Sequence, residues 1–451
     1  MDRLFGTDGV RGVANVAPMT AEMALEIGRA TAYVCKRHEK NYKHRIVIGK
    51  DTRLSGYMLE NALTAGICSM GVNVFLVGPM PTPGIAFITQ NMRADAGIVI
   101  SASHNPYQDN GLKIFSRAGY KLPDEEEREI EELVTTGHIR DIRPTADDVG
   151  KARRIDDAIG RYIVFCKNTF PQPYMLEGLR IVLDCANGAT YKIAPIIFSE
   201  LGADIVTIHA DPDGKNINDQ CGSQFTDDLV ARVRAEKADV GLAFDGDGDR
   251  LIAVDERGQV LTGENVLLIA AKMYKEEGRL RNNMVVTTAM SNLGFFKALK
   301  KLGVEHALSD VGDRNVLELM KEKDVMLGGE SSGHTIFRDR HTTGDGIIAA
   351  LQILAAMQTG GKTLSELGSL MQRAPQRLVN VAVTRRPPLE EVPELCAAIG
   401  SAEKELGDDG RVLVRYSGTQ NLCRVMVEAT TQEVTTRISD ELARIVRENL
   451  G

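Results

Sequence analysis

Five short stretches carry residue types suited to handling phosphate. Ser101-Ala102-Ser103-His104-Asn105-Pro106 sets two hydroxyls beside an imidazole, with Lys113 a little further on. A hydroxyl becomes a nucleophile when a proton acceptor is near, and a cation helps to hold anionic cargo. Asp245-Gly246-Asp247-Gly248-Asp249-Arg250 puts three carboxylates on a glycine turn, where they can converge on one hard cation. Three aspartate oxygens and a phosphate oxygen suit Mg2+. A calcium EF-hand is disfavoured, because Arg250 stands at the sixth position, where glycine is needed, and a strand precedes the loop. Gly328-Gly329-Glu330-Ser331-Ser332-Gly333-His334 offers a carboxylate that accepts from sugar hydroxyls and an imidazole that donates or accepts. Arg415-Tyr416-Ser417-Gly418-Thr419-Gln420-Asn421, with Arg424, has the parts of a phosphate clamp. Gly6-Thr7-Asp8-Gly9-Val10-Arg11-Gly12 allows close backbone approach, and Arg11 can bind a phosphate through two donors. Together these tools suit phosphoryl transfer on a phosphorylated sugar. Gly360-Gly361-Lys362-Thr363 is not a P-loop, because Ala356 stands where its first glycine is required.

The elements around these loops repeat. Arg45–Gly49, Leu179–Asp184 and Met284–Thr287 read as strands, each followed by a polar loop and a helix that stops at Gly71, Gly202 or Gly303 before the next strand. Such alternation predicts α/β units around a mostly parallel sheet. A second offset runs through all three. Asp95, Asp239 and Asp324 each open an apolar run, and six residues later stand Ser101, Asp245 and Glu330. The pattern predicts three copies of one domain, each with a different tool at the end of an equivalent strand. Ligands of open α/β sheets sit at the carboxyl ends of strands, so one cleft fed by all three is expected. Thr20 is a predicted N-cap for a helix through Lys36. The predicted fold is α/β: three similar mixed-sheet α/β domains and a smaller C-terminal α+β domain around one central cleft. The predicted boundaries are 1–150, 151–256, 257–371 and 372–451. The last piece carries strand patterns at Leu378–Val383, Arg411–Arg415 and Cys423–Glu428 and a helix over Glu433–Asn449.

Composition narrows the class. The chain has 451 residues, of which 43% are hydrophobic and 26% charged, as in soluble globular proteins. Its net charge of −8 argues against a broad nucleic-acid surface but not against a local anion site. The seven cysteines form no C-x-x-C pair, which suits reduced thiols. Met1-Asp2-Arg3-Leu4-Phe5-Gly6 has no apolar core of signal-peptide length. The longest apolar stretch, Ile347 to Met357, is too short to span a membrane. These features predict a cytoplasmic protein.

G-T-D-G-V-R-G from Gly6, S-A-S-H-N-P from Ser101, D-G-D-G-D-R from Asp245, G-E-S-S-G-H from Gly329 and R-Y-S-G-T from Arg415 resemble, in order and over essentially the whole chain, the α-D-phosphohexomutase superfamily. The resemblance implies that Ser103 is phosphorylated in the active enzyme and that Asp245, Asp247 and Asp249 bind one Mg2+ together with the phosphoserine. It implies that Glu330 and Ser332 contact sugar hydroxyls, and that Arg415, Ser417, Gly418, Thr419 and Arg424 hold the non-reacting phosphate. Arg11, His104, Lys113, Arg250 and His334 match positions around the reacting phosphoryl group, with Lys113 or His104 as general acid or base. The closest branch interconverts glucosamine 6-phosphate and glucosamine 1-phosphate, feeding UDP-N-acetylglucosamine for the cell wall, with a sugar bisphosphate as intermediate and activator. Phosphomannomutase or phosphoglucomutase activity and a catalytically silent sugar-phosphate sensor are the alternatives. Expected partners are a small-molecule sugar phosphate and, as a candidate assembly, a second copy in a homodimer. No nucleic acid and no membrane are expected. Gln420, where such enzymes usually have Glu, and Cys221-Gly222-Ser223-Gln224-Phe225, where C-G-S-T-H is commoner, depart from the pattern.

Overall fold

The computed structural model describes residues 4–6, 8–36, 43–417 and 421–451. The chain divides into two compact units. The first, 1–289 with 304–369, holds three sheets. In the first sheet, β1 (Val10–Val13), β2 (Arg45–Lys50), β3 (Asn73–Pro79), β4 (Ala96–Ile100), β5 (Asp109–Ser116) and β6 (Ala152–Arg154) lie in the order β1-β5-β4-β2-β3-β6. The second has β7 (Arg180–Asp184), β8 (Asp204–Ile208), β9 (Val240–Phe244), β10 (Leu251–Asp255) and β11 (Val260–Leu261) in the order β11-β10-β9-β7-β8. The third has β12 (Met284–Thr288), β13 (Glu305–Ser309), β14 (Leu327–Gly329) and β15 (Thr335–Phe337) in the order β13-β12-β14-β15.

One scheme underlies all three. An antiparallel hairpin, β4–β5, β9–β10 or β14–β15, is followed by two parallel neighbours, β2 and β3, β7 and β8, or β12 and β13. Ser101, Asp245 and Glu330 therefore each follow the equivalent inner strand, as their shared offset predicts. The aspartates that open these runs have a physical task. Asp95 accepts the Arg45 amide at 2.8 Å and Asp239 accepts the Arg180 amide at 2.8 Å, each tying the entry of the inner strand to its parallel neighbour. Asp324 instead pairs with Arg281 and Arg338 on the surface. The inner strands β4 and β9 are buried on both faces, which is why they read as continuous apolar runs.

The Asp255–Gly258 turn is present, with the Gly258 amide donating to the Asp255 carbonyl at 2.9 Å, and it leads into β11 on the same sheet. Residues 152–154 likewise pair with β3 as the edge of the first sheet. Thr20 caps the helix Ala21–Lys36, its hydroxyl accepting the Met23 amide at 3.2 Å. The apolar run from Ile347 forms the helix Gly346–Gly360, buried almost throughout. Its one interrupting polar group, Gln352, donates to the Thr169 carbonyl at 3.1 Å. Among the described residues no helix is long and apolar enough to cross a membrane. All seven cysteines are unpaired.

The second unit, 290–303 with 370–451, is built on β16 (Gln376–Ala382), β17 (Arg411–Tyr416) and β18 (Leu422–Glu428), an antiparallel sheet in the order β16-β18-β17. Its core packs Val381, Val425 and Val427 against Leu395, Leu442 and Val446 of the helices Pro393–Leu406 and Gln432–Leu450. The helix Leu293–Leu302 belongs to this unit. Asn292 donates to buried Glu428 at 2.9 Å, and Lys297 pairs with Asp409 at 2.7 Å.

Candidate active site

Ser103 follows β4 with its backbone at φ +51°, a left-handed conformation that costs an L-residue on the order of 1 kcal/mol. Three groups hold it there. Its amide donates to Ser101 Oγ at 2.9 Å, and Ser101 Oγ donates to Asp51 at 2.6 Å. Arg53, fully buried, donates to the carbonyls of Ser103 at 2.9 Å, Asn105 at 2.8 Å and Asp109 at 3.1 Å, to that of Pro106, and to Asp51 at 2.8 Å. Asn218, from the second sheet's side, donates to the Ser103 carbonyl at 2.9 Å. The Ser103 side chain is aimed as a result. Oγ donates to Asp245 Oδ2 at 2.6 Å, and His104 Nδ1 lies 3.4 Å away.

The glycines of the aspartate turn are needed for this approach. A side chain at Gly246 would stand 2.7 Å from the Ser103 carbonyl, and Gly248 has φ +70°. Asp245, Asp247 and Asp249 are all buried, with one oxygen of each lying within 4.8 Å of the others. Asp247 Oδ2 accepts Thr82 Oγ1 at 2.7 Å and Lys113 Nζ at 2.8 Å; Lys113 also lies 3.4 Å from Asp249 Oδ2. The other oxygens, Oδ1 of Asp247 and of Asp249, are buried without a hydrogen-bond partner. Orphaned buried carboxylate oxygens are costly, and a hard divalent cation would satisfy both. The all-oxygen set, with Ser103 Oγ beside it, fits Mg2+.

Electrostatics separates the groups. Burial, then the charges of Asp249 and Asp247, push the Asp245 carboxyl well above the usual range. Burial would do the same to Asp249, but Lys113, His334 and Arg250 hold it well below. Lys113 keeps its ammonium despite burial, because Asp247, Asp8 and Asp249 surround it. Burial and the nearby Arg250 and Arg11 guanidiniums push the His104 imidazole down to about 4. His334 is pushed up against its burial by Asp249 and Asp313.

A cavity of about 450 Å³ opens beside Ser103, a volume suited to a small ligand. Asp8, Arg11, Asp249, Arg250, Asp313, Glu330 and His334 line it. Arg11, Ser103, Arg250, Glu330 and His334, all expected from sequence, thus meet in one place; Ser332 is not among the lining residues. Glu330 is oriented by the Gly312 amide, which donates to its Oε1 at 3.1 Å. Asp8, Lys121 and Asp313 are additions. Lys121 bridges the two carboxylates, at 2.6 Å from Asp313, and ties the Gly6–Gly12 segment to the third sheet's domain. Asp51 and Arg53 are further additions, and a positional signal could have found them: they follow β2, the parallel neighbour of β4. Lys121 and Asn218 carry no such signal.

In the second unit, Arg415 and Arg424 are direct cross-strand partners on β17 and β18. Like charges placed opposite each other repel, so the pair makes sense around an anion. Arg424 Nε and Ser417 Oγ are both buried without hydrogen-bond partners. Arg386, which sequence reasoning missed, donates to the Ser417 carbonyl and lies 5.1 Å from the Tyr416 ring centre. Gly418, Thr419 and Gln420 lie outside the described residues.

Comparison with known proteins agrees with this layout. Four models of phosphoglucomutase/phosphomannomutase match the chain: alpha/beta/alpha domain I over 2–140, domain II over 161–258, domain III over 262–374 and the C-terminal domain over 378–445. A phosphoglucosamine mutase of Syntrophus aciditrophicus (strain SB) is 60% identical over 451 residues, covering 100% of both chains. Among solved structures, a phosphoglucomutase/phosphomannomutase family protein from Burkholderia thailandensis superimposes with a TM-score of 0.81 at 24% identity, covering 99% of this chain and 97% of the other. An N-acetylphosphoglucosamine mutase of Aspergillus fumigatus, solved in complex with GlcNAc-6P and magnesium, gives a TM-score of 0.69 at 17% identity, covering 99% and 95%. The chain belongs to the phosphoglucosamine mutases, within the phosphoglucomutase/phosphomannomutase family of isomerases.

Proposed function

We propose that the chain interconverts glucosamine 6-phosphate and glucosamine 1-phosphate through a phosphorylated Ser103. The observation that carries this reading is the Ser103 hydroxyl, held in a left-handed turn 2.6 Å from Asp245 and beside the arginine-lined cavity. Phosphorylated Ser103 gives its phosphoryl group to the C1 hydroxyl. The bond from phosphorus to Oγ breaks as that to the sugar oxygen forms, and Oγ gains one proton as the sugar hydroxyl loses one. The resulting bisphosphate turns round, and Oγ takes the phosphoryl group from C6. A sugar bisphosphate supplied from outside charges Ser103 by the same step.

His104 Nδ1, 3.4 Å from Oγ, is the group we assign to the proton at that atom. Lys113 is committed to Asp247, Asp249 and Asp8, so its role is charge stabilisation. Arg11, Arg250 and His334 stabilise the charge on the transferring group. Glu330 and Ser332 take sugar hydroxyls. Arg415, Ser417, Gly418, Thr419 and Arg424 hold the phosphate that is not being transferred. Mg2+, held by Asp245, Asp247, Asp249 and the phosphoserine, would act as a Lewis acid that neutralises phosphoryl charge. The magnesium in the Aspergillus fumigatus neighbour supports that choice. The reading also includes a cytoplasmic location and a homodimeric assembly.

Peptide mass spectrometry tests the core of it. A phosphate on Ser103 that is depleted by excess glucosamine 6-phosphate is expected, and Ser103→Ala should turn over at less than about a thousandth of the wild-type rate. Near-normal turnover of Ser103→Ala would overturn the reading.

A further inference from the structure

The second sheet carries a group of ligand-type side chains that the mutase reaction does not use. Asp184 ends β7, His209 follows β8, and Cys221 opens the short turn Gly222–Gln224. One carboxylate oxygen of Asp184, one ring nitrogen of His209 and the Cys221 sulfur all lie within 4.8 Å of one another. We propose that Asp184, His209 and Cys221 form a second metal site, distinct from the aspartate turn and selective for a borderline-soft divalent ion of the Zn2+ type.

The donor set decides the class of ion. One thiolate, one imidazole and one carboxylate match zinc sites that keep an open fourth position, whereas Mg2+ prefers oxygen alone. At zinc bond lengths, tetrahedral ligand atoms stand about 3.3–3.8 Å apart. His209 Nδ1 and Asp184 Oδ2 are already 3.1 Å apart.

The surroundings prepare both ligands. Asp184 is fully buried and oriented by two amides, Ala186 on Oδ1 and Gly222 on Oδ2, each at 2.9 Å. His209 Nδ1 is buried against Asp184 Oδ2, 3.1 Å away, while Nε2 on the ring's far side faces Asp228 at 3.3 Å. A carboxylate on the second nitrogen is the arrangement that fixes a metal-bound histidine in the right tautomer. His209 is also held at φ +47°, and its carbonyl accepts the Asn187 amide at 2.6 Å. A surface hollow of about 310 Å³, lined by Ile208, His209, Asp228 and Ala231 among others, lies on the Asp228 side of the His209 ring; Asp184 and Cys221 do not line it. Binding releases the Cys221 thiol proton and the His209 Nδ1 proton to solvent, leaving Nε2–H directed at Asp228.

Titration of the full chain with Co2+ in excess Mg2+ tests the proposal, because only a sulfur ligand adds a thiolate-to-cobalt charge-transfer band. The expected result is one equivalent of Co2+ with that band and four-coordinate ligand-field absorption. Cys221→Ser should lose the band. Asp228→Ala changes no ligand and should weaken Co2+ binding about 10- to 100-fold. If Cys221→Ser does not fold, Asp228→Ala decides. No thiolate band in the wild type, a band that survives Cys221→Ser, or unchanged affinity in Asp228→Ala would each overturn the site and leave His209 as an ion pair between two aspartates.

Discussion

Ser103 would relax out of its left-handed turn without Arg53, whose guanidinium binds four carbonyls of the loop that follows and one carboxylate. None of these partners is a substrate, so Arg53 acts by position. Arg53→Ala leaves Asp51 as a buried, unpaired charge and should lower stability by about 3–5 kcal/mol in urea unfolding. Arg53→Lys keeps the charge but not the forked geometry. It should lower kcat by about 100-fold with KM nearly unchanged, because a small misplacement of a nucleophile acts on the chemical step. A raised KM at normal kcat would contradict the positioning role. The residue types brought together at the site were legible in the sequence, because hydroxyl, carboxylate and arginine side chains cluster in short motifs. Arg53 was marked only by its place after β2, because its partners are mainly backbone carbonyls, which leave no motif of their own. Asn218 and Lys121 were hidden for a related reason: their partners, the Ser103 carbonyl and the Asp8 and Asp313 carboxylates, are distant from them in sequence.

Strands and helices set which charges face each other. The register of β17 and β18 places Arg415 opposite Arg424, two like charges that repel across the sheet, and the proposed phosphate would lie between them. Arg424→Leu should therefore stabilise the protein by about 0.2–1 kcal/mol while raising KM for the sugar phosphate. Destabilisation with an unchanged KM would show that the pair does not serve an anion. Both arginines were visible from sequence, but their direct opposition was not, since it depends on strand register.

Asp345 shows the same coupling at a helix end. It caps Gly346–Gly360 by accepting the Ile348 amide at 3.0 Å and also accepts the Tyr162 hydroxyl at 2.6 Å. Burial pushes its carboxyl up to about 6 despite those bonds. An unfolded aspartate titrates near 3.9, so the folded state binds the proton more tightly. This group's stabilisation is full below about pH 4 and is lost as pH rises to about 6. Wild type should lose about 3 kcal/mol more than Asp345→Asn between about pH 4 and pH 7 in urea unfolding. Parallel stability profiles would contradict this.

Across the molecule, three sheets of one design each bring a different loop to the end of an equivalent strand. That plan was readable because buried parallel strands are continuous apolar runs and because the Asp-to-loop offset repeats. What was not readable is how chain ends join sheets. β6 and β11 are short edge strands of three and two residues, too brief for any periodicity to show. The helix Leu293–Leu302 comes in sequence after β12 and before β13 yet belongs to the second unit, which is decided by the partners of Asn292 and Lys297 rather than by local pattern. The chemical outcome of the whole assembly is the interconversion of an amino-sugar phosphate. A phosphorus NMR time course tests it most directly, with the protein, Mg2+ and a trace of sugar bisphosphate mixed with glucosamine 6-phosphate and, separately, with glucose and mannose 6-phosphates. Preferential conversion of glucosamine 6-phosphate to its 1-phosphate is the predicted result; faster conversion of glucose or mannose phosphate, or no conversion of any of the three, would contradict it.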